Sequence, residues 1–526
     1  MKKLSVFALV AALLTAACGT IEYSDANVID PTRTLYVTLE TPPGADGPDD
    51  PDFNTSCSNP GASADDDYEV TEFLTTVMQG AYVEPEPFGV VHLCAGTYET
   101  DDVIEFSNLG SITIEGDGMN ETIISGAGGD DHALLAMVPV ECLPEDEPCP
   151  SYFNVLTLKD LTLSDGVGGA VAFTLPDGDS GVIPFSAGGA VTAPLVATER
   201  VRFSNNSALC GGAVALYGWT LLATDALLET MGDDELVAAE YYSNLVSTNS
   251  SQIINTEFTE NTAAIGGAIA GVALDAGLGL GGPEEIFSCV NSGPLNIVNS
   301  TFEGNTAGLN EYSELAVGGG AIATANIIAL EFALVGPEGL PEDVLAILNR
   351  DAWLQISGGT FSENRSLNAG GAVLSYGKTL ISRATFTSNG VGAGLEMDGM
   401  GGAIAVAGEL SLSYSTFVGN SASSGGAVLV FDLFGGSHVL TRNTFIRNVA
   451  TDQGGAISGW TVAGSARGNR FTSNRAPVGS AVAVLTEVCS RTWSRRAARD
   501  WRGNTFRSNR GGRLPVECYV AAPAPS

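Results

Sequence analysis

The residue types that could do chemistry in this chain are few and widely spaced. Asp130-Asp131-His132 is the nearest approach to a carboxylate pair beside a histidine, the grouping that acid–base hydrolysis of sugars would use. It stands in a glycine-rich stretch and reads as a solvated turn rather than a site. Asp65-Asp66-Asp67 and Asp101-Asp102 are candidate calcium sites, yet neither has the spaced ligands of a dedicated loop, so no cofactor beyond a weakly held calcium is expected. His92, His132 and His438 are scattered and form no metal-ligand set. Of nine cysteines, Cys18 stands apart near the N-terminus. The other eight are Cys57, Cys94, Cys142, Cys149, Cys210, Cys289, Cys489 and Cys518, an even number that reads as a disulfide framework in an exported chain. Connectivity is not fixed by spacing, but proximity suggests Cys57–Cys94, Cys142–Cys149, Cys210–Cys289 and Cys489–Cys518. None has Cys-x-x-Cys spacing, which argues against zinc and redox roles.

Charge bounds the partners. The chain has 61 Asp and Glu against 23 Lys and Arg, which repels phosphate backbones and argues against nucleic acid. One stretch runs against this balance: Arg491, Arg495, Arg496, Arg499, Arg502, Arg507, Arg510 and Arg513, with Trp493 and Trp501 among them. It reads as a polar cap on the last coil, or as a docking patch for acidic glycan, lipopolysaccharide phosphate or a partner's acidic face.

The elements that would position such groups are set by a repeat. Phe-x-x-Asn occurs at Phe203/Asn206, Phe258/Asn261, Phe302/Asn305, Phe361/Asn364, Phe386/Asn389, Phe417/Asn420, Phe445/Asn448, Phe471/Asn474 and Phe506/Asn509. Most copies are followed by Gly-Gly-Ala and Ile, Val or Leu, as at Gly266-Gly267-Ala268-Ile269. Such self-similarity marks a solenoid. One coil is about 25 residues long, enough for three short strands and three turns. Coils stacked about 4.8 Å apart place each Phe over the next and each Asn in an amide ladder. Asn also tolerates a left-handed turn, Gly-Gly supplies positive φ and close approach, and Ala-Ile/Val restarts an inward strand. The repeat is thus a packing code, and no catalytic residue is expected in it. Longer steps are coils with inserts, two of which read as helical: Thr224 to Tyr242 and Pro341 to Leu348.

Toward the N-terminus, residues 1–17 read as a signal peptide, with Lys2 and Lys3, an apolar run Leu4 to Leu14, and Thr15-Ala16-Ala17 before the cut. Residues 18–52 are polar, acidic and Pro-rich, the composition of an extended tether. Val70, Phe73, Leu74, Val77 and Met78 then form one apolar helical face ending at Gly80, a lid for the open end of a solenoid. The β-helix is expected over 53–520, with repeats over 203–509 and a tail at 521–526.

Cys18 after Thr15-Ala16-Ala17 resembles the lipobox of bacterial lipoproteins, although Thr15 rather than Leu14 stands three residues before the Cys. The resemblance implies lipidation at Cys18 and outer-membrane sorting; the alternative is a secreted chain with an incidental cysteine. The helix followed by Gly96-Thr97-Tyr98, Ile112-Thr113-Ile114-Glu115-Gly116 and Thr122-Ile123-Ile124-Ser125-Gly126 resembles the opening of pectin-lyase-like right-handed parallel β-helices. The alternation of Phe-x-x-Asn with Gly-Gly-Ala resembles the repeat of the polymorphic outer membrane proteins of chlamydial surfaces. That resemblance implies a surface-exposed parallel β-helix associated with adhesion. Those proteins end in a translocating β-barrel; here the sequence stops soon after its last repeat, so attachment is expected through Cys18. The rival reading is a polysaccharide lyase or hydrolase, which needs charged residues converging on one exposed face. The polygalacturonase sets Asn-Thr-Asp, Gly-His-Gly and Arg-Ile-Lys are not found.

Overall fold

The structure is a computed structural model. It describes residues 30–40, 42, 54–63, 69–80, 88–107, 110–127, 132–138, 154–168, 170–173, 183–186, 188–217, 249–271, 293–308, 318–325, 353–392, 399–431, 438–459, 465–485, 501–512 and 514–519. Nearly every strand pairs in parallel with strands one coil before and after, which makes the chain a parallel β-helix. Three parallel sheets form its walls, the nine-stranded one beginning at Ser207–Cys210. Among the described residues they hold 23, 9 and 12 strands and are called here sheets 1, 2 and 3.

One coil illustrates the path. Thr379–Ser382 and Thr385–Thr387 lie in sheet 1, Gly390–Val391 in sheet 2 and Ile404–Ala407 in sheet 3. The chain then re-enters sheet 1 at Leu410–Ser413. Each strand is short because alternation has to bury one side chain and expose the next within a coil only about three strands long.

The repeat residues occupy the interior as the packing argument requires. Phe203, Phe258, Phe302, Phe361, Phe386, Phe417, Phe445 and Phe471 are fully buried. With Phe506 they stack at centroid distances of 4.7–4.9 Å and interplanar angles of 2–12°. That distance is the coil rise and exceeds ring thickness, so the rings stack inclined and offset, the arrangement their quadrupoles favour. The column continues toward the N-terminus in two aliphatic residues and then a tyrosine. Phe203 pairs with Leu163, Leu163 with Ile124, and Ile124 with Tyr98.

The Asn ladder is complete from Asn206 to Asn509. Asn206 donates its amide to Asn261, Asn261 to Asn305, Asn305 to Asn364, and so on through Asn448 and Asn474. At Asn389, Nδ2 donates to Asn420 Oδ1 at 3.0 Å and to the Phe361 carbonyl at 2.9 Å. Its Oδ1 accepts from Nδ2 of Asn364 at 2.9 Å and from the Asn364 backbone N–H at 3.1 Å. Both amide hydrogens and the oxygen are therefore satisfied without water, as a fully buried amide requires.

In the Gly-Gly pairs the first glycine has positive φ, such as Gly401 at 68° and Gly425 at 66°. The second has no room for a side chain: a Cβ on Gly402 would lie 2.1 Å from the Gly426 carbonyl oxygen. Two demands in sequence, one of conformation and one of space, explain why the pair recurs.

Two sequence expectations are corrected. The first concerns the left-handed turn expected at the repeat Asn. None of Asn206, Asn261, Asn305, Asn364, Asn389, Asn420, Asn448 and Asn474 has positive φ. The residue before each takes that conformation instead. Asn205, Glu260, Glu363, Ser388, Arg447, Ser473 and Ser508 have φ between 53° and 59°, and Gly304 and Gly419 take 66°. The Asn side chain points inward to the ladder, so the outward-pointing neighbour makes the turn. The second concerns the proposed tether, which begins to fold earlier than its composition implies. Asp30–Thr38 is a strand that pairs in parallel with Phe88–Leu93, and Val37 is fully buried. The alternation through Leu35 and Val37 outweighs the neighbouring prolines and acids. The expected lid is present as helix α1, Val70–Gly80, with Leu74, Val77 and Met78 in the core. The two helical inserts lie outside the described residues.

Candidate functional site

Among the described residues, three groups on the outer faces bring acidic side chains together with hydrogen-bonding or basic partners. The first surrounds the opening coils. Cys57 and Cys94 form a disulfide with Cα atoms 5.6 Å apart. Beside it, His92 Nε2 lies 3.0 Å from Asp117 Oδ1, and Asp117 Oδ2 accepts the Ala95 N–H at 2.7 Å. The ligand atoms of Cys57, His92 and Asp117 lie within 4.8 Å of one another. With the Cys57 sulfur committed to the disulfide, the imidazole and carboxylate remain, fewer ligands than a structural metal site uses.

The second group caps α1. Thr71 Oγ1 donates to Asp101 Oδ1 at 2.6 Å and accepts the Asp101 N–H at 3.0 Å. The hydrogen bond from Thr71 holds the Asp101 carboxyl below its usual range, while hydrogen bonding to and repulsion by Asp101 raise that of Glu69. Asp102 Oδ1 accepts the Val103 N–H at 2.7 Å. Asp101 thus ties the turn at residues 100–103 to the first turn of the helix, and Asp102 serves that turn alone.

The third group lies on sheet 1. The strand Leu195–Ser204 carries Glu199, Arg200 and Arg202. Arg200 grips Asp160 with two bonds, Nε to Oδ1 at 2.6 Å and Nη2 to Oδ2 at 2.7 Å, and its Nη1 donates to Glu199. These partners push the guanidinium pKa further up. Arg202 donates to Glu257 Oε2 at 2.8 Å and to Asn120 Oδ1 at 3.0 Å. Charged groups do converge here, which is what the enzymatic reading asked for. Each carboxylate is nevertheless held by an arginine, and exposed ion pairs of this kind add little stability.

The other sequence candidates fall as follows. His132 Nε2 is 3.0 Å from Thr100 Oγ1, whereas Asp130 and Asp131 lie outside the described residues. His438 is buried, and its Nδ1 accepts the Leu410 N–H at 3.3 Å. Cys210 and Cys518 are disulfide-bonded. Cys18, Cys142, Cys149, Cys289, Cys489 and Asp65-Asp66-Asp67 lie outside the described residues. Of the basic run, Arg502, Arg507 and Arg510 are exposed, while Trp501 is buried edge-on to Phe471 at 5.8 Å.

Sequence reasoning misses a second ladder. Ser415 N–H donates to Asn443 Oδ1, Asn443 Nδ2 to Asn469 Oδ1, and Asn469 Nδ2 to Asn504 Oδ1, at 2.9–3.0 Å. Its signal is an Asn two residues before Phe445, Phe471 and Phe506.

The solenoid also sorts its interruptions. Segments 139–153, 218–248, 272–292, 326–352, 432–437, 460–464 and 486–500 all leave after a sheet 3 strand and return before sheet 1. Segments 309–317 and 393–398 leave after sheet 2. None breaks the corner that carries Phe-x-x-Asn.

Comparison with known proteins places the repeat. Residues 299–325 match the model for the Chlamydia polymorphic membrane protein repeat. No curated protein matches the chain. Among solved structures, the chain is similar to the crystal structure of PfbA, a surface adhesin of Streptococcus pneumoniae, at 12% identity and a TM-score of 0.39, covering 86% of this chain and 89% of that one. It is also similar to the A-module of the Azotobacter vinelandii mannuronan C-5 epimerase AlgE6, at 11% identity and a TM-score of 0.23, covering 83% and 91%. Scores this low carry no argument about what this chain binds or does. Among the described residues, no helix is long and apolar enough to cross a membrane.

Proposed function

We propose that the chain is a non-enzymatic bacterial surface protein, held at the outer membrane by a lipid on Cys18, whose β-helix presents inserted segments for adhesion or envelope contact. The observation that supports this best is the sorting of interruptions. Repeat positions are consumed by packing, while seven segments leave and rejoin the solenoid at one corner, where solenoids commonly place their binding loops. The Chlamydia-type repeat at residues 299–325 agrees with a surface address. A surface glycan or another envelope or host protein is the expected partner.

Two experiments test the parts separately. Cys18→Ser should move the protein from the membrane to the soluble fraction, and an unchanged membrane fraction removes the lipid anchor. Replacing 218–248, 272–292 and 326–352 by tight turns should abolish adhesion of expressing cells at an unchanged melting temperature; undiminished adhesion removes the presenting role. The convergence of Asp160, Glu199, Arg200, Arg202 and Glu257 favours a second reading, a polysaccharide lyase or hydrolase. Turnover of acidic polysaccharides by the purified chain, lost in Arg200→Ala, would establish it.

A further inference from the structure

The two ends of the solenoid differ in the sign of their charge. Among the described residues, 30–127 hold eleven Asp or Glu and one arginine, whereas 378–512 hold ten Lys or Arg and two acids, Glu409 and Asp452. No arginine from Arg383 to Arg510 is ion-paired among the described residues. Register even sets Arg475 directly opposite Arg510, a like-charge pairing that costs stability.

Within this basic face stands one exposed aromatic. Tyr414 occupies the corner between two sheet 1 strands with φ 52°, and 51% of its surface is exposed. Gly358, Gly468 and Gly503 fill the same corner in other coils. A bulky residue in this conformation costs about 1–2 kcal/mol, and the ring contributes nothing to the core. Arg383 and Arg442 hold the same corner one coil before and one coil after. The Arg442 guanidinium lies 5.5 Å from the ring centroid, and its Nη1 donates to the phenol oxygen at 2.8 Å. Arg467 is paired with Thr441 and Arg470 with Thr444 on the next coil, and Arg507 with Thr472 on the one after. Successive coils here are 4.8–4.9 Å apart.

We propose that this face binds an acidic polysaccharide, one sugar ring lying on Tyr414 and the carboxylate or sulfate groups of its neighbours received by Arg383, Arg442, Arg467, Arg470 and Arg507. Guanidinium forks suit such planar anions, and a flat ring suits the apolar face of a sugar. An anionic lipid surface would need the charge but not the ring. The inference supplies a ligand for the surface-display reading and rests on it only for where such a polymer is met.

The test is binding of the purified full chain to polygalacturonate and dextran sulfate, with neutral dextran and phosphatidylglycerol vesicles as comparisons. The expected result is binding to one or both acidic polymers that weakens with salt, and none to neutral dextran. Arg467→Ser/Arg470→Ser/Arg507→Ser should weaken it about tenfold or more. Tyr414→Asn, which suits the left-handed corner, should weaken it about threefold or more without lowering the melting temperature. Lys159→Ser, on a distant coil, should leave it unchanged. Equal affinity in both site variants, equal affinity for neutral dextran, or binding to vesicles without binding to the polymers overturns the proposal. The display reading fails independently if protease added to intact cells leaves the protein uncut.

Discussion

Asn389→Ala tests whether the amide ladder or the aromatic stack beside it holds the coils in register. The substitution removes four hydrogen bonds: Nδ2 to Asn420 Oδ1, Nδ2 to the Phe361 carbonyl, and the two that Asn389 Oδ1 accepts from Asn364. Asn420 Oδ1 keeps a donor, because the Asn389 backbone N–H still reaches it at 2.9 Å. Three groups lose a partner: the Asn364 N–H, one hydrogen of its amide, and the Phe361 carbonyl. Each stranded buried polar group costs about 1–3 kcal/mol, and relaxation favours the lower end, so the expected loss is about 3–5 kcal/mol. Ser388→Ala, at the adjoining outward position, should change stability by less than about 1 kcal/mol. Because a solenoid's stability is a sum of neighbour interfaces, urea denaturation should be read together with hydrogen exchange. Exchange should rise about a hundredfold or more across residues 361–420, with little change across 88–127. A loss below about 1 kcal/mol, or exchange raised uniformly along the chain, would refute the argument.

Three further outcomes follow from the same geometry. Gly402→Ala forces a methyl to 2.1 Å from the Gly426 carbonyl oxygen and should cost about 2–3 kcal/mol by thermal melting; an unchanged melting temperature would mean the coils can separate locally. Cys94→Ser opens a link spanning 37 residues and should cost about 3–4 kcal/mol, seen as faster exchange in the first coils; protection unchanged there would count against it. Burial raises the pKa of Tyr98, so the fold favours its neutral phenol. That contribution is complete below pH 10, where the phenol is neutral folded or unfolded, and falls by about 1.4 kcal/mol per pH unit above it. Tyr98→Phe should remove this part of the alkaline loss; an identical alkaline melting profile would show that Tyr98 does not report it.

The interior was legible wherever one residue type recurs. Phe at a fixed place and Asn three later announce a stack and a ladder, because identical side chains over one another are what parallel coils produce. The same column was unreadable upstream, where Leu163, Ile124 and Tyr98 fill the Phe position and any apolar residue of suitable size serves. The left-handed corner was misassigned for a related reason. Its occupant faces outward, so Glu260, Ser388 and Arg447 all serve, and its identity carries no signal beside the invariant look of Asn261, Asn389 and Asn448 that follow them. The strand Asp30–Thr38 was hidden by the prolines and acids around its short alternation. The face around Tyr414 was the least legible part. Tyr414 and Arg442 meet, and Arg467 falls on the coil after them, only through the pairing of coils of unequal length, and nothing in a tyrosine's sequence context announces positive φ.

The ladder also has a direction. Between side chains, every asparagine from Asn206 to Asn474 hands one amide hydrogen to the following coil's Asn oxygen and none the other way, while its second hydrogen goes back to a backbone carbonyl of the preceding coil. A stack built this way has unlike ends, one offering acceptors and the other donors, and two copies could extend it only head to tail. That is the geometry of open-ended fibre growth. At the acceptor end the first rung is already engaged by the Gly166 N–H at 3.0 Å, and the column above it narrows to Tyr98 beside α1. At the donor end Trp501 turns edge-on against the stack, at 67° to Phe471. The polarity that lets coils be added within one chain is therefore blunted where it would let chains be added to one another.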